Sequence, residues 1–515
     1  MQTEKEYLIG REINGLRCES VGEYSLPDYN GDVKKLLAVK TKTHPAGKFV
    51  GEEALEFSGT VSYEVVYLDA ENNTTHAEFS TDYDAATKIN AETYLDSIVR
   101  TSVSGCNIRL VGPRKLSVKA SLDSDVIISE KKLYSIEGDA FSEYEPEVIS
   151  KVVDVFAPSF VSGEAREFRE ELLSLEGAIR DEVEVLLSDS SFELASLDVG
   201  EGAVTIKGDV VISALVRNAE LEPRWVSKRI AYSDELALAD ADDFDSLDAW
   251  VDFSSLKLSL DPEDDGVRVC VAYSLAPRIC GRKNDSLSLV IKSYVKERGT
   301  ENEYADFGYT EHICTQTRSE TIEIERPISE IGIENPGDVI YSEGQARIEK
   351  CDVVGGKLSV DGEVRFGGIM CHAFEDGCIC SPFKFTATFS KNVNIDCQIH
   401  DNMRVNCAVN TNDVKITFDE NNAHASANLD LFVTISSERR QRCLASSYLT
   451  DEEYTRDASV VTVYYPDPSE SLFSIAEKFH TSVASIAEGN RLTESVFASS
   501  SESLGTHGIK KLLIK

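Results

Sequence analysis

The residue types that could hold a metal gather most densely around Cys371, His372, Cys378 and Cys380, with Cys397 and Cys407 downstream. Structural zinc draws on two ligand pairs, each near C-x2-C spacing and set a fixed distance apart. Here a single C-x-C stands without a second pair. On a strand Cys378 and Cys380 share one face, which favours packing, so no metal is expected. The catalytic signatures are missing as well: the chain has no G-x-x-x-x-G-K-[ST] loop, no H-E-x-x-H and no G-x-S-x-G elbow. Acidic neighbours such as Asp181 with Glu182, or Asp264 with Asp265, say little in a chain with 90 carboxylates; they read as solvated strand faces and turns. A glycosidase pair need not be adjacent in sequence, so motifs do not speak to that chemistry. His480 follows Phe479 at a helix end and reads as an exposed capping residue. No catalytic residue, metal or cofactor is expected.

Binding chemistry is easier to find, at the carboxy terminus. An apolar run over 461–465 reads as a strand. Leu472, Ile475, Ala476 and Phe479 then fall on one face of a helix with Ser469 as its N-cap. A second helix follows Thr481 and Ser482, with Val483, Ile486 and Ala487 on its apolar face and Asn490 near its end. Residues 511–515 form a strand-like tail. In this strand–helix–helix–strand module, the groove between the first-helix loop and the second-helix exit is the candidate binding site. Ser469, Glu470, Ser471, Leu472, Asn490 and Leu492 line it.

The remainder of the chain repeats itself. Residues 55–67, 204–216 and 358–370 align without gaps: apolar and polar residues alternate, a glycine (Gly59, Gly208, Gly362) interrupts, and alternation resumes. That pattern is a half-buried strand whose glycine marks a bulge or a close backbone approach. A second alternating strand recurs at 115–122, 267–273 and 427–435. The repeat is a whole domain long, too long for a solenoid unit. Helical periodicity is scarce, with 91–97 among the few candidates. Linkers are expected near 143–147, 298–303 and 450–457, where alternation lapses. The fold class expected is mainly β, with three repeated antiparallel β-rich domains (sandwich or partly closed barrel) at 1–145, 150–300 and 315–448. A small βααβ domain follows at 460–515.

The net charge is −38, yet residues 461–515 carry only −1 of it. A field of that sign repels nucleic acid and anionic lipid, which bind through cations. The first 19 residues are charged and lack an apolar core, and no segment approaches the roughly 18 apolar residues of a span. The expectation is a protein that stays in the cytoplasm, does not insert in a membrane and binds no nucleic acid. Its 12 cysteines are then expected to be largely unpaired thiols.

The phrase 471–492, with its two short helices between strands, resembles a LysM domain. Three β-rich repeats ending in such a module resemble the SPOCS-domain proteins of endospore-forming bacteria, the spore-coat morphogenetic SipL type among them. The resemblance covers residues 20–515. It implies assembly work in the mother-cell cytosol: joining the coat morphogenetic ATPase and other coat proteins at the forespore surface. LysM domains that grip N-acetylglucosamine chains open their first helix with Gly-Asp-Thr, where this chain has Ser469, Glu470 and Ser471. Loss of the glycine adds a Cβ where a sugar would approach the backbone. Protein docking is therefore the expected use of the module, with peptidoglycan as the alternative ligand.

Overall fold

The computed structural model describes residues 4–28, 30–218, 221–238, 241–374, 377–400, 402–455, 460–492, 501, 504 and 509–514. Antiparallel strands make up nearly all of it, laid down in three rounds before a small mixed module. The first round holds β1 (Glu4–Ser25), β2 (Lys35–Thr43), β3 (Gly47–Val50), β4 (Ala54–Leu68), β5 (Thr74–Lys88), β6 (Tyr94–Gly112) and β7 (Lys115–Ser135), then the short helix α1 (Ala140–Glu143). The second holds β8 (Glu147–Ser162), β9 (Arg166–Glu176), β10 (Val183–Gly200), β11 (Ala203–Asn218), β12 (Leu221–Ala237), β13 (Ser246–Glu263) and β14 (Gly266–Tyr294). The third holds β15 (Arg298–Pro327), the turn-length helix α2 (Ile328–Ile331), β16 (Asp338–Val354), β17 (Lys357–Phe374), β18 (Gly377–Val393), β19 (Arg404–Phe418) and β20 (Asn422–Glu453). The last segment is β21 (Thr462–Tyr464), α3 (Leu472–Lys478), α4 (Val483–Asn490) and β22 (Leu512–Ile514), with β21 and β22 paired.

In every round the first strand pairs with the last, which also pairs with the next to last: β1–β7–β6, β8–β14–β13 and β15–β20–β19. The strands between them form a second sheet about a central strand, β4, β11 or β17, except β9, which pairs with β14 in the first sheet. The two sheets of a round face each other across shared cores. None closes into a barrel, so of the two architectures expected, facing sheets are the one observed.

Alternation explains most of these strands and its lapses explain the rest. Along β7, Leu116, Val118, Ala120 and Leu122 point inward and are fully buried, while Lys115 and Lys119 point to solvent. From Val126 to Glu130 every residue is buried, because the outer face is covered too: Ile127 packs with Phe156 and Cys280 of the second round. The run from Val65 to Leu68 ends β4 in the same way. Strands covered on both faces read as continuous apolar runs.

Two expectations fail here. Residues 91–97 are not a helix. Asn90 instead caps a turn, its side chain accepting from the Glu92 amide at 3.0 Å, and β6 starts at Tyr94. Nor is 298–303 a linker: it opens β15 and pairs with the end of β20, Arg298 opposite Glu453 and Thr300 opposite Leu449. Of residues 143–147, 144–146 do lie between elements, joining α1 to β8.

The three glycines occupy the central strands of the second sheets, and each lies opposite an aromatic residue: Gly59 faces Tyr83, Gly208 faces Tyr232 and Gly362 faces Phe389. The other neighbouring strand is irregular there. Register shifts fall between Leu194 and Ser196, and between Ile348 and Lys350; in the first round the chain breaks between β2 and β3. A second irregularity recurs at Leu36/Ala38, Val185/Leu187 and Val339/Tyr341. It turns Leu37 and Leu186 into one apolar cluster that Ile340 packs against. That cluster joins the three rounds: Val66 and Leu68 from the first, Leu187 and Leu215 from the second, Tyr341 and Ile369 from the third.

Candidate functional site

Of the six residues expected to line a groove in the carboxy-terminal module, Leu472 and Leu492 join one core, and the polar groups of the others are used within the module. Ser471, not Ser469, is the N-cap of α3. Its hydroxyl accepts from the Ser474 amide at 3.1 Å, and Ser474 returns the bond to the Ser471 amide at 3.0 Å. Ser469 donates instead to Asp467. The Glu470 carboxylate accepts from the Tyr464 hydroxyl at 2.8 Å and the Asp467 amide at 2.9 Å, with Lys478 at 3.7 Å. Leu472 is fully buried and Leu492 packs against the same core. Asn490 bridges α4 to β22: its amide donates to Ile486 and Leu513 carbonyls, and its oxygen accepts from the Leu513 amide at 2.6 Å. The serine-rich loop 493–506 lies outside the described residues apart from 501 and 504.

The module is seated on the second round. Tyr294 at the end of β14 is buried against Phe473, ring edge to face at 5.0 Å, and its hydroxyl donates to the Thr481 carbonyl at 2.7 Å. On and beside β21 Val460, Val461, Val463 and Tyr465 are exposed, Tyr465 at 70%. Single exposed apolar residues are ordinary, but four within six positions, on and beside the three-residue strand β21, form a patch.

A second candidate lies where the three rounds meet, and the sequence motifs do not point to it. A cavity of about 1840 Å³ is walled by all three. Lys40 on β2, Asp189 on β10 and Glu343 on β16 hold equivalent places there, each opposite the residue five positions past its sheet's glycine. Lys40 and Glu343 line the cavity. The Lys40 ammonium pairs with Asp189 at 2.7 Å, and Lys42 lies 3.9 Å from Asp189 and 3.8 Å from Glu64. Burial opposes all these charges, but for Lys40 the neighbouring carboxylates outweigh it and the pKa rises; for Lys42 burial wins and the pKa falls. Burial also raises Glu343, against the pull of Lys40, and the Tyr341 hydroxyl donates to its carboxylate at 2.8 Å. Arg100 reaches across the cavity to the faces of Trp250 at 5.4 Å and Phe432 at 5.6 Å. Gln345 donates to the Val103 carbonyl at 2.6 Å. The contacts of Lys40 and Lys42 with Asp189, of Arg100 with Trp250 and Phe432, and of Gln345 with Val103 cross between rounds, so the arrangement works as a lock at the junction.

A third enclosed cluster sits beside it. Arg282, almost fully buried, donates to Glu12 at 3.1 Å and lies 3.8 Å from Asp248. His312 is 4% exposed; its amide donates to the Asn284 side chain at 2.8 Å, and its carbonyl accepts from it at 2.7 Å. Burial and then the Arg282 charge hold the imidazole down to about 4. A histidine depressed in the fold takes up its proton more readily when unfolded. Its share of stability is therefore complete above the unfolded value near 6.5 and is lost as pH falls toward 4. We expect wild-type protein to lose about 2 kcal/mol through this residue between pH 8 and pH 5. Chemical denaturation of wild type and His312→Gln at both pH values checks it: the variant should show a shallower loss, and parallel losses would contradict the assignment.

The cysteines are largely unpaired, as expected, with one exception. Cys371 and Cys380, opposite one another on β17 and β18, form a disulfide. Register explains the pairing that spacing alone does not show. Nine further cysteines are free thiols; the Cys378 side chain lies outside the described residues. Among the described residues no three His, Cys, Asp or Glu side chains stand close enough to hold a metal ion, and no helix is long and apolar enough to cross a membrane. Comparison with known proteins found no matching family model, no matching curated protein and no matching solved structure.

Proposed function

We propose that the chain is a non-enzymatic assembly protein of the endospore coat, built from three SPOCS-like domains and a LysM-like module. The observation that carries the reading is the recurrence of one strand scheme in three rounds that interlock at a common junction, followed by a βααβ module seated on them. Interlocked bodies make a stiff platform, which suits a tether between partners. The module contributes a docking edge. Glu470, Ser471 and Asn490 spend their polar groups internally, which leaves little to grip a sugar; Val463 and Tyr465 offer apolar area to a protein. The partner proposed is the coat morphogenetic ATPase at the forespore surface in the mother cell, with other coat proteins joining the platform.

Full-length protein tests this. Purified coat morphogenetic ATPase should capture it, and the double variant Val463→Ser with Tyr465→Ser should lose at least tenfold in capture, while insoluble peptidoglycan should pellet neither. A fluorescent fusion should form a shell around the developing forespore. Strong pelleting with peptidoglycan and no capture by the ATPase would replace this reading with the glycan-binding one.

A further inference from the structure

Six of the 12 cysteines fall into three facing pairs, all in the third round. The first is the Cys371–Cys380 disulfide between β17 and β18. The second is Cys314 with Cys397, whose sulfur atoms lie 2.6 Å apart, inside the sum of two non-bonded sulfur radii. Their approach is imposed by the surroundings. The loop carrying Cys397 is held onto β15 by Arg318, which donates to the Asn394 carbonyl at 3.1 Å and to Asp396. The Gln316 side chain also accepts from the Asp396 amide at 3.2 Å. The third pair is Cys351 on β16 with Cys407 on β19, which pack against the same core between the two facing sheets with their thiol groups interacting. Here too the strands are fastened around the pair: Ser342 on β16 donates to the Val414 carbonyl at 3.0 Å, and the Ala346 amide donates to Thr411 at 2.9 Å. All four thiols of these two pairs are partly exposed. Among the described residues no other cysteine has a sulfur neighbour of this kind; Cys18, Cys106, Cys270, Cys280 and Cys443 are spread over all three rounds.

Three facing pairs confined to one round are not what packing of small apolar residues produces. We propose that the third round is an oxidation-closed body: Cys314–Cys397 and Cys351–Cys407 are sites of reversible disulfide formation, joining the Cys371–Cys380 bridge. The co-reactant is a small-molecule disulfide of the glutathione class. In each closure one cysteine thiolate attacks a sulfur of that disulfide and expels a small thiolate. The second cysteine thiolate then attacks the mixed disulfide at the protein sulfur and expels the other. Two cysteine sulfurs give up two electrons, one small disulfide takes them, and two small thiols leave with the two protons. Each bridge closes a different joint. Cys314–Cys397 fixes the β18–β19 loop to β15. Cys351–Cys407 ties the two sheets together, and it does so on β16 and β19, which both line the central cavity through Glu343 and through Asn410 to Asp413. Oxidation would therefore stiffen one wall of the junction without touching the other two rounds. This inference does not depend on the proposed coat function.

The full chain, reduced and freed of reductant, is equilibrated with oxidised glutathione, quenched with an alkylating agent and titrated for thiols after denaturation. Thiols should fall from twelve to six, peptide mapping should recover 314–397, 351–407 and 371–380, and the melting temperature should rise by roughly 10 °C. Cys314→Ser should fall from eleven to seven, leaving Cys397 free. Retention of ten or more thiols by wild type, absence of either new cross-link from the map, or capture of Cys397 by another cysteine in the variant would overturn the proposal.

Discussion

Replacing Gly208 or Gly362 by alanine is expected to destabilise its round by about 3 kcal/mol, whereas Gly59→Ala should cost only about 1. The three positions look alike in sequence, but a methyl group meets different obstacles at each. At Gly208 it would overlap the Glu193 carbonyl oxygen and stand 2.6 Å from the Phe192 ring. At Gly362 it would overlap the Arg347 carbonyl oxygen and stand 2.6 Å from the Phe389 ring. A carbonyl belonging to a paired strand cannot move away without opening the ladder. At Gly59 the obstacle is the Tyr83 side chain alone, with its hydroxyl at 2.7 Å, because the neighbouring strand is broken there. An aromatic ring can tilt. Calorimetry of the full chain should resolve this as a lowered transition in Gly208→Ala and Gly362→Ala and a small shift in Gly59→Ala. Equal effects at all three would mean that the interrupted ladders opposite Gly208 and Gly362 do not constrain the strand.

The same contrast shows what could be read from the residues and what could not. The central strands were legible because one face is buried and one is wet over most of their length; alternation at 55–67, 204–216 and 358–370 records that directly. Where both sides of a ladder are polar, the record is blank. Residues 298–303 and 450–457 each look like a linker, yet 298–303 and 450–453 belong to the two strands at one end of a single ladder, β15 against β20. Backbone pairing needs no apolar side chain. Residues 91–97 suggest a helix by periodicity, but Asn90 claims the local amide and Tyr94 finds a partner in Glu130 across the sheet. In the carboxy-terminal module the element order was legible and the cap was off by two: both Ser469 and Ser471 suit the position, and only Ser471 faces Ser474 in a reciprocal pair. The cysteine pairs were not legible, since Cys314 and Cys397 are 83 residues apart and meet only through the fold.

The junction was the least legible feature and carries the second large effect. Asp189→Ala is expected to cost about 2–3 kcal/mol and to loosen the contact among the three rounds. The loss leaves two cations, Lys40 and Lys42, in an enclosed space without the carboxylate that both of them pair with. Breaking a buried pair by deleting one partner typically costs about 3–5 kcal/mol. The figure here is lower because 34% of the Asp189 side-chain surface and 23% of Lys40 remain accessible, so water can reach the stranded charge. Glu343 and Glu64 take up part of the field as well. Removing the cation along with the anion should recover much of the loss, so Asp189→Ala with Lys40→Met should be more stable than Asp189→Ala alone. That ordering separates a charge effect from simple loss of packing, which a second truncation would worsen. Hydrogen exchange gives the spatial readout. Protection should fall in β2, β10 and β16 together, although they belong to three different rounds, and stay unchanged in β7 and β14, which do not line the cavity. If protection falls in β10 alone, Asp189 stabilises only its own sheet and the three rounds are held together by the apolar cluster around Val66, Leu187 and Tyr341 instead.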